Sequence, residues 1–465
     1  MKKITIKSVA PFLVLAGVAI AAIFVPSVPD FVDEKGAYNA ADITWVLVAS
    51  ALVFLMTPGL AFFYGGMVHR KNVISTMIKS VAAAGVVSVL WVVVGYSLCF
   101  GPSVGGAGFI GDPTAHFFFK GVASGEPWGT IPRSLFAVFQ LMFAIITPGL
   151  VVGAVAERIR FTSYILFIAL FSLLVYAPLA HWTWNSEGFL FKMGVLDFAG
   201  GTVVHISAGM AALAGVLVLK RRQVHKEHKE IPPANIPYVL IGTGLLWFGW
   251  FGFNAGSALA ANALAVSAFF TTNTAAAAAG LSWMFFDVIR GKKPSVLGFC
   301  IGAVVGLVAI TPAAGFVAIP QSITIGVVAA LISNIAVYYK QKSKLDDTLD
   351  VFPCHGLGGI VGMLLTGVFA TKAVNGAGAD GLWLGNGAFL FTQFKGMLIA
   401  VTYSFVASYL IFKFINFILP LRVTSEEEEL GLDATQHNEK YLQGTLLVHS
   451  NGNIKEEKII ETEAH

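Results

Sequence analysis

The side chains with the most chemical potential in this sequence are two histidines set among apolar residues. His205 closes the run Phe198-Ala-Gly-Gly-Thr-Val-Val-His205, and His355 sits in Phe352-Pro-Cys-His355-Gly-Leu-Gly-Gly. An imidazole donates at one nitrogen and accepts at the other near neutral pH, so a buried pair can relay a hydrogen or guide a polar solute. Ionisable groups at membrane depth are costly, which makes each a functional candidate. Taken singly, each is equally an interior histidine bonded to its neighbours. Asp197 precedes the first run. Eight residues, about 12 Å of helix, separate it from His205, so the two cannot grip one small ion. Its structural reading is a helix cap for the free amides of Ala199–Gly201; its functional reading is a buried anion that favours an arriving cation.

Aromatic residues supply a third element. Phe139 and Phe143 share a helix face at i and i+4. Trp184 lies near the end of an apolar run, and Trp250 and Phe253 precede Ser257. Such residues serve in packing or as interface anchors; as a functional set they make a cation–π cage with a hydroxyl acceptor. Thr147-Pro148 and Thr311-Pro312 mark expected helix breaks. Gly298, Gly302 and Gly306 have the spacing of close helix packing. Lys395, inside an apolar run, has no evident role. The 3 cysteines are scattered and suggest neither a disulfide framework nor a metal site. No nucleophile–base set appears, so an enzyme is not expected.

The elements that must position these groups are membrane helices. Of 465 residues, 56% are hydrophobic and only 12% charged, too few charges to cover a soluble surface. The apolar runs approach the ~20 residues that cross a ~30 Å hydrocarbon layer, and backbone groups in lipid must be satisfied internally. The fold class is therefore all-α and polytopic, with eleven spans near 43–65, 77–100, 133–156, 163–181, 198–219, 237–258, 264–286, 295–310, 322–339, 353–371 and 388–416. Arg and Lys concentrate in alternate loops, which places those loops and the C-terminus in the cytoplasm and the start of the first span outside. Residues 1–26 read as a signal peptide or an extra N-terminal helix. A transmembrane domain over 42–420 and a cytoplasmic tail over 421–465 follow.

The two histidine segments lie in the fifth and tenth spans. Gly59-Leu-Ala-Phe-Phe-Tyr-Gly65 and Gly249-Trp-Phe-Gly-Phe-Asn-Ala-Gly256 lie in the first and sixth. An offset of five spans inverts one half against the other, and transport pathways lie near such interfaces. Asp197 and Asp350 are read as the equivalent acids of the two halves.

The segment Asp197–His205 resembles the signature of the ammonium transporter (Amt/Mep/Rh) family. So do Phe62–Met67, Gly153–Phe161, Trp250–Ser257 and Asp350–Gly356, in the family's order, with the likeness running from about Asp42 to Tyr441. The resemblance implies trimers of eleven-helix subunits, each with its own pore and no cofactor. It implies cation recruitment by Trp184, Phe139, Phe143 and Ser257 with Asp197 beside them, a gate of Phe143 and Phe253, and a pore lined by His205, His355, Trp250 and Thr311. The substrate would be ammonium, with methylammonium as an analogue, taken from outside the plasma membrane. Gly431–Asp433 with His437–Tyr441 is similar to the family's regulatory tail but lacks one residue before the tyrosine; a PII-type partner on the cytoplasmic face is implied, and no nucleic acid. The expected function is recruitment of NH4+, deprotonation, and passage of NH3 along the histidines, with the proton carried separately. The alternatives are an ammonium sensor signalling through the tail, or a passive channel for NH3 or CO2.

Overall fold

The computed structural model describes residues 6–25, 38–122, 126–229, 231–441, 446–450 and 453–457. A helix over Ile6–Ile23 precedes the core. The core spans are Ala40–Met67, Arg70–Phe100, Arg133–Val155, Phe161–Met193, Gly201–Leu219, Ile236–Gly256, Ala263–Ile289, Val296–Ile310, Ile319–Gln341, Phe352–Phe369 and Gly387–Ile418. Ten of these are long and apolar enough to cross a membrane, and the eighth, Val296–Ile310, is the short one. The fold is the expected all-helical membrane bundle. A two-stranded hairpin, Leu446–Ser450 with Asn453–Glu457, is added in the tail.

The eighth span is short because its α-helix ends at Ile310, and the chain from Thr311 to Val317 then runs irregularly but fully buried. Irregular backbone at this depth is tolerated when protein rather than lipid surrounds it. The matching Thr147-Pro148 in the third span breaks nothing, contrary to expectation: the helix runs through it from Arg133 to Val155. The Thr147 hydroxyl donates to the Phe143 carbonyl at 2.6 Å, Tyr164 donates to the Pro148 carbonyl, and Tyr64 donates to that of Leu150 at 3.0 Å.

The halves meet through equivalent helices. The first and sixth spans approach so closely that a Cβ on Gly252 would lie 2.6 Å from the Ala49 carbonyl, and one on Gly242 would lie 2.3 Å from the Phe63 nitrogen. The fifth and tenth spans touch at Gly209 and Gly356, where an added Cβ would lie 2.2 Å from the opposing backbone. Gly302 and Gly306 pack the eighth span onto Ala275, Ala279 and Trp283 of the seventh, as their spacing predicts.

The basic loops gather at one end, and the tail docks there. Arg160 pairs with Glu427 at 2.6 Å and Arg422 with Glu428 at 2.6 Å. Asp433 accepts from the amides of Ile74 and Ser75 at 3.1 and 2.8 Å, capping the second span from outside its own sequence. Asn235, which caps the sixth span, donates to the Tyr441 hydroxyl at 2.7 Å. The shortened spacing before Tyr441 still lets the tail reach both halves. Asn438 takes the left-handed conformation at the bend, φ 55°, which Asn tolerates better than most residues.

Candidate functional site

The fifth span begins with a glycine in a conformation few side chains adopt, Gly200 at φ 122°. From there the chain enters a π-turn, Gly201–Ile206, in which the His205 amide bonds back to the Gly200 carbonyl at 3.1 Å. The turn needs an anchor, and Asp197 supplies it. Its carboxylate accepts from the amides of Gly200, Gly201 and Thr202 and from the Thr202 hydroxyl at 2.5–2.8 Å. The cap reading of Asp197 therefore holds, displaced by one residue toward Thr202 from the amides expected. The indole of Trp184 donates to the Asp197 carbonyl at 3.1 Å and ties the fourth span to this cap.

The tenth span repeats the design from the other side. A π-turn, Phe352–Leu357, carries His355. The acid that caps it is Asp347, which accepts from the Val351 and Phe352 amides at 3.1 and 2.7 Å. Asp350 is thus not the counterpart of Asp197: it sits in the left-handed region at φ 59° and pairs with Lys340 at 2.6 Å. The true counterpart stands eight residues before its histidine, the same separation as Asp197 from His205. Burial pushes the Asp347 carboxyl up to about 6, with Asp350 adding to the effect and Lys340 opposing it.

The two π-turns bring the imidazoles together. The Nδ1 atoms of His205 and His355 are 3.5 Å apart and the ring centroids 5.5 Å. A neighbouring network orders the hydrogens between them. The Thr311 hydroxyl donates to the Leu307 carbonyl at 2.7 Å and accepts from the Trp250 indole at 2.9 Å. With its hydrogen committed, Thr311 can only accept from His205 Nε2, 3.3 Å away. His205 then carries its hydrogen on Nε2, and its bare Nδ1 accepts from His355, whose own Nε2 is left as a lone pair. One hydroxyl sets the sense of the whole row.

These rings line a narrow lumen with room for about one water-sized molecule. Its walls come from the first, third, fifth, sixth, eighth and tenth spans, three inverted pairs, and include Leu60, Ile146, Leu246, Val304 and Phe253. The lumen lies at the interface between the halves, where the repeat predicts a pathway. Phe143 and Phe253 sit at one end of it, centroids 4.3 Å apart and tilted by 41°. Phe253 also lies 5.9 Å from the His205 ring.

Beyond Phe143 is a second cavity of about 140 Å³ lined by Phe143, Trp184, Ser257, Phe198, Trp128, Phe136, Gln140 and Leu259. Trp184 stands edge-on to Phe143 at 5.9 Å. Ser257 donates to the Phe253 carbonyl at 2.8 Å, which leaves its oxygen to act as an acceptor for a guest. Phe139, expected as a wall, instead packs behind Phe143 at 4.9 Å and is fully buried. Trp128, Phe136, Gln140 and Leu259 were not singled out in the sequence. For Phe136 and Gln140 the signal was present, since they continue the face of Phe139 and Phe143 at helical spacing; Trp128 and Leu259 come from loops and give no periodic signal. Among the described residues no cluster of His, Cys, Asp or Glu is arranged to hold a metal ion.

The comparisons agree with one another. The ammonium transporter family model matches residues 44–441. An ammonium transporter of Bacillus subtilis is 46% identical over 411 residues, covering 87% of this chain and 99% of the relative. Among solved structures, Saccharomyces cerevisiae Mep2 superposes with a TM-score of 0.81 at 37% identity, over 87% of this chain and 92% of that one. A structure titled Sensor Amt Protein superposes at 0.78 with 30% identity, over 85% of this chain and 98% of that one.

Proposed function

This chain belongs to the ammonium transporter family, a multi-pass membrane protein and not an enzyme, and from that premise we propose that it strips ammonium of a proton in the aromatic vestibule and conducts NH3 past its histidine pair. The observation that carries this reading is the lumen itself: two facing imidazoles behind a closed pair of phenyl rings, with room for about one small molecule.

Energetics favour this route. A bare charge at mid-membrane costs ~10–17 kcal/mol in simulations; insertion scales give about 2.5–3.5, but those values include snorkelling and water defects that a narrow apolar lumen does not offer. Deprotonating an amine-like cation at pH 7 costs about 4–5 kcal/mol, taking lysine as a stand-in. In the vestibule, Trp184 and Phe143 present ring faces to the cation and Ser257 accepts a hydrogen from it, while the buried Asp197 carboxylate adds a favourable field. NH4+ releases NH3 and a proton; NH3 passes Phe143 and Phe253, and the proton is carried separately. The lone pair and N–H groups of the histidine row replace water for NH3 in transit. Potassium, with no proton to release, is refused at the same step. Phe139 stiffens Phe143 from behind.

The Arg- and Lys-rich end faces the cytoplasm of a cell whose plasma membrane holds the protein, with the vestibule outside. The same reading carries a homotrimer and a PII-type regulator at the docked tail. A signalling role is favoured only to the extent that this tail ties both halves together. A passive gas channel differs in leaving no charge moved.

The test is methylammonium uptake together with ammonium-evoked current in reconstituted bilayers. The double variant His205→Ala with His355→Ala should lose about tenfold or more in uptake, the equivalent of one lost hydrogen bond. Unchanged uptake and selectivity would remove the histidines from the mechanism; absence of current in the wild type would favour the gas channel.

A further inference from the structure

The eleventh span is a single unbroken helix of 32 residues, about 48 Å at 1.5 Å per residue, longer than the hydrocarbon layer is thick. Two lysines interrupt its apolar character, Lys395 and Lys413, and both are exposed. They are 18 residues apart, five turns of 3.6, so they lie on one line of the helix about 27 Å apart. Upright, that is close to the ~30 Å thickness of a hydrocarbon core; in a tilted helix the flexible lysine stems make up the difference. Between them the same line presents Leu398, Thr402, Val406 and Leu410, all exposed and none charged.

We infer that this stripe faces phospholipid, and that Lys395 and Lys413 each hold a lipid phosphate, one per leaflet, so that they fix the bilayer's position against the protein. A charged ammonium on a lipid-facing helix is tolerated at the headgroup boundary, where the stem stays in hydrocarbon and the tip reaches the phosphates. The ammonium of Lys395 lies 5.1 Å from the Phe391 ring centroid, one turn toward the vestibule end. It therefore points to the nearer surface. Beyond it, exposed Phe391 and Phe394 make an aromatic collar. The anchor also touches the functional site: two residues from Lys395, the Gln393 amide brackets Leu196, accepting from its N–H and donating to its carbonyl, both at 2.8 Å. Leu196 is the residue before Asp197. A phosphate on Lys395 thus holds the helix that positions the cap of the fifth span.

Two measurements on the full chain decide this. In the first, spin labels replace Leu398, Thr402, Val406 and Leu410 one at a time in phosphatidylglycerol–phosphatidylethanolamine nanodiscs; the natural cysteines are buried and do not compete for label. Oxygen collision rates should peak at Thr402 and Val406 and fall toward both lysines. Low rates at all four positions would mean that a second copy of the chain covers the stripe, and a maximum at Leu398 or Leu410 would misplace the bilayer; either result overturns the inference. In the second, native mass spectra in a maltoside detergent, which carries no phosphate, count retained phospholipid. Lys395→Gln and Lys413→Gln should each lose one lipid per chain, and Lys395→Arg should keep it. Equal counts in all variants refute the lysine–phosphate contact.

Discussion

The lumen and the basic end of this protein bury polar groups by opposite means. In the lumen every hydrogen-bonding group is formally neutral: two imidazoles, an indole and a threonine hydroxyl. At the basic end, fully ionic groups are buried and matched. Arg222 donates to Glu157 at 2.5 Å and to Asp346 at 2.8 Å, while Arg158 donates to the Asp346 carbonyl at 2.6 Å. Burial alone would raise the acids; the Arg222 guanidinium brings Glu157 below its ordinary value, and Arg158 and Arg222 together hold Asp346 well below the carboxylate range. Desolvating a charge costs several kcal/mol unless a partner repays it. The basic end supplies partners, so its buried charges are held in matched pairs. The lumen supplies none, so an ion entering it would find no counter-charge. In the proposed mechanism, selectivity against ions rests on that difference.

The comparison can be broken most severely at Arg222. Arg222→Ala leaves Glu157 and Asp346 buried without their shared cation and should cost about 3–5 kcal/mol. The readout is thermal unfolding of purified protein, and restoring stability by adding Glu157→Gln and Asp346→Asn would sharpen the case that charge, not volume, is at issue. A stability loss below about 1 kcal/mol would contradict it.

A smaller effect is expected in the lumen from Thr311→Val. This keeps the shape but removes the acceptor for Trp250 and His205, at about 1–3 kcal/mol for the orphaned indole. It also frees the histidine row to adopt either sense. Methylammonium uptake should fall several-fold while thermal stability drops only modestly; unimpaired uptake would show that the ordering of hydrogens by Thr311 is immaterial.

The smallest effect is a pH dependence of the docked tail. Burial lowers the His437 pKa in the docked tail, Lys79 adds to this, and Glu439 opposes it. His437 Nε2 lies 3.3 Å from the Ser75 hydroxyl, its ring packs on Phe161, and Asp433 and Lys79 face the same pocket. Because docking disfavours the charged imidazole, docking is strongest above the free histidine pKa of about 6.5 and weakens as pH falls below it. Burial raises Asp433 in the docked state, which favours docking in acid, but from the lower carboxylate range. Hydrogen exchange of residues 425–441 should quicken from about pH 6.5 toward 5, after correction for intrinsic rates, and His437→Gln should flatten the response. An identical slope in that variant would assign it elsewhere.

Much of this was legible in the sequence because membrane insertion simplifies the grammar. Long apolar runs, the alternation of basic loops and the paired Phe–His segments each translate directly into spans, a shared basic end and an inverted repeat. His205, His355, Trp250 and Thr311 fall together because that repeat brings equivalent helices face to face. What was not legible depended on backbone geometry. Asp350 seemed the partner of Asp197 because it lies nearer the histidine motif, but its positive φ turns it aside and leaves Asp347 to cap the π-turn. Pro148 seemed a break, but the helix runs through it, and the tyrosines that bond the Pro148 and Leu150 carbonyls come from other helices, 16 and 86 residues away. The tail's cap on the second span joins residues some 358 positions apart, a pairing that no local pattern announces.

The glycine contacts between the first and sixth spans bear on how anything moves through this molecule. Where helices are cushioned by long side chains, one bundle has slack to rock against another. Here peptide rests on peptide, and a sway of even one ångström would drive main chain into main chain. Such a scaffold is a frame rather than a hinge, and in the proposed mechanism turnover falls to small parts within it: the swing of a phenyl ring, the hop of a hydrogen.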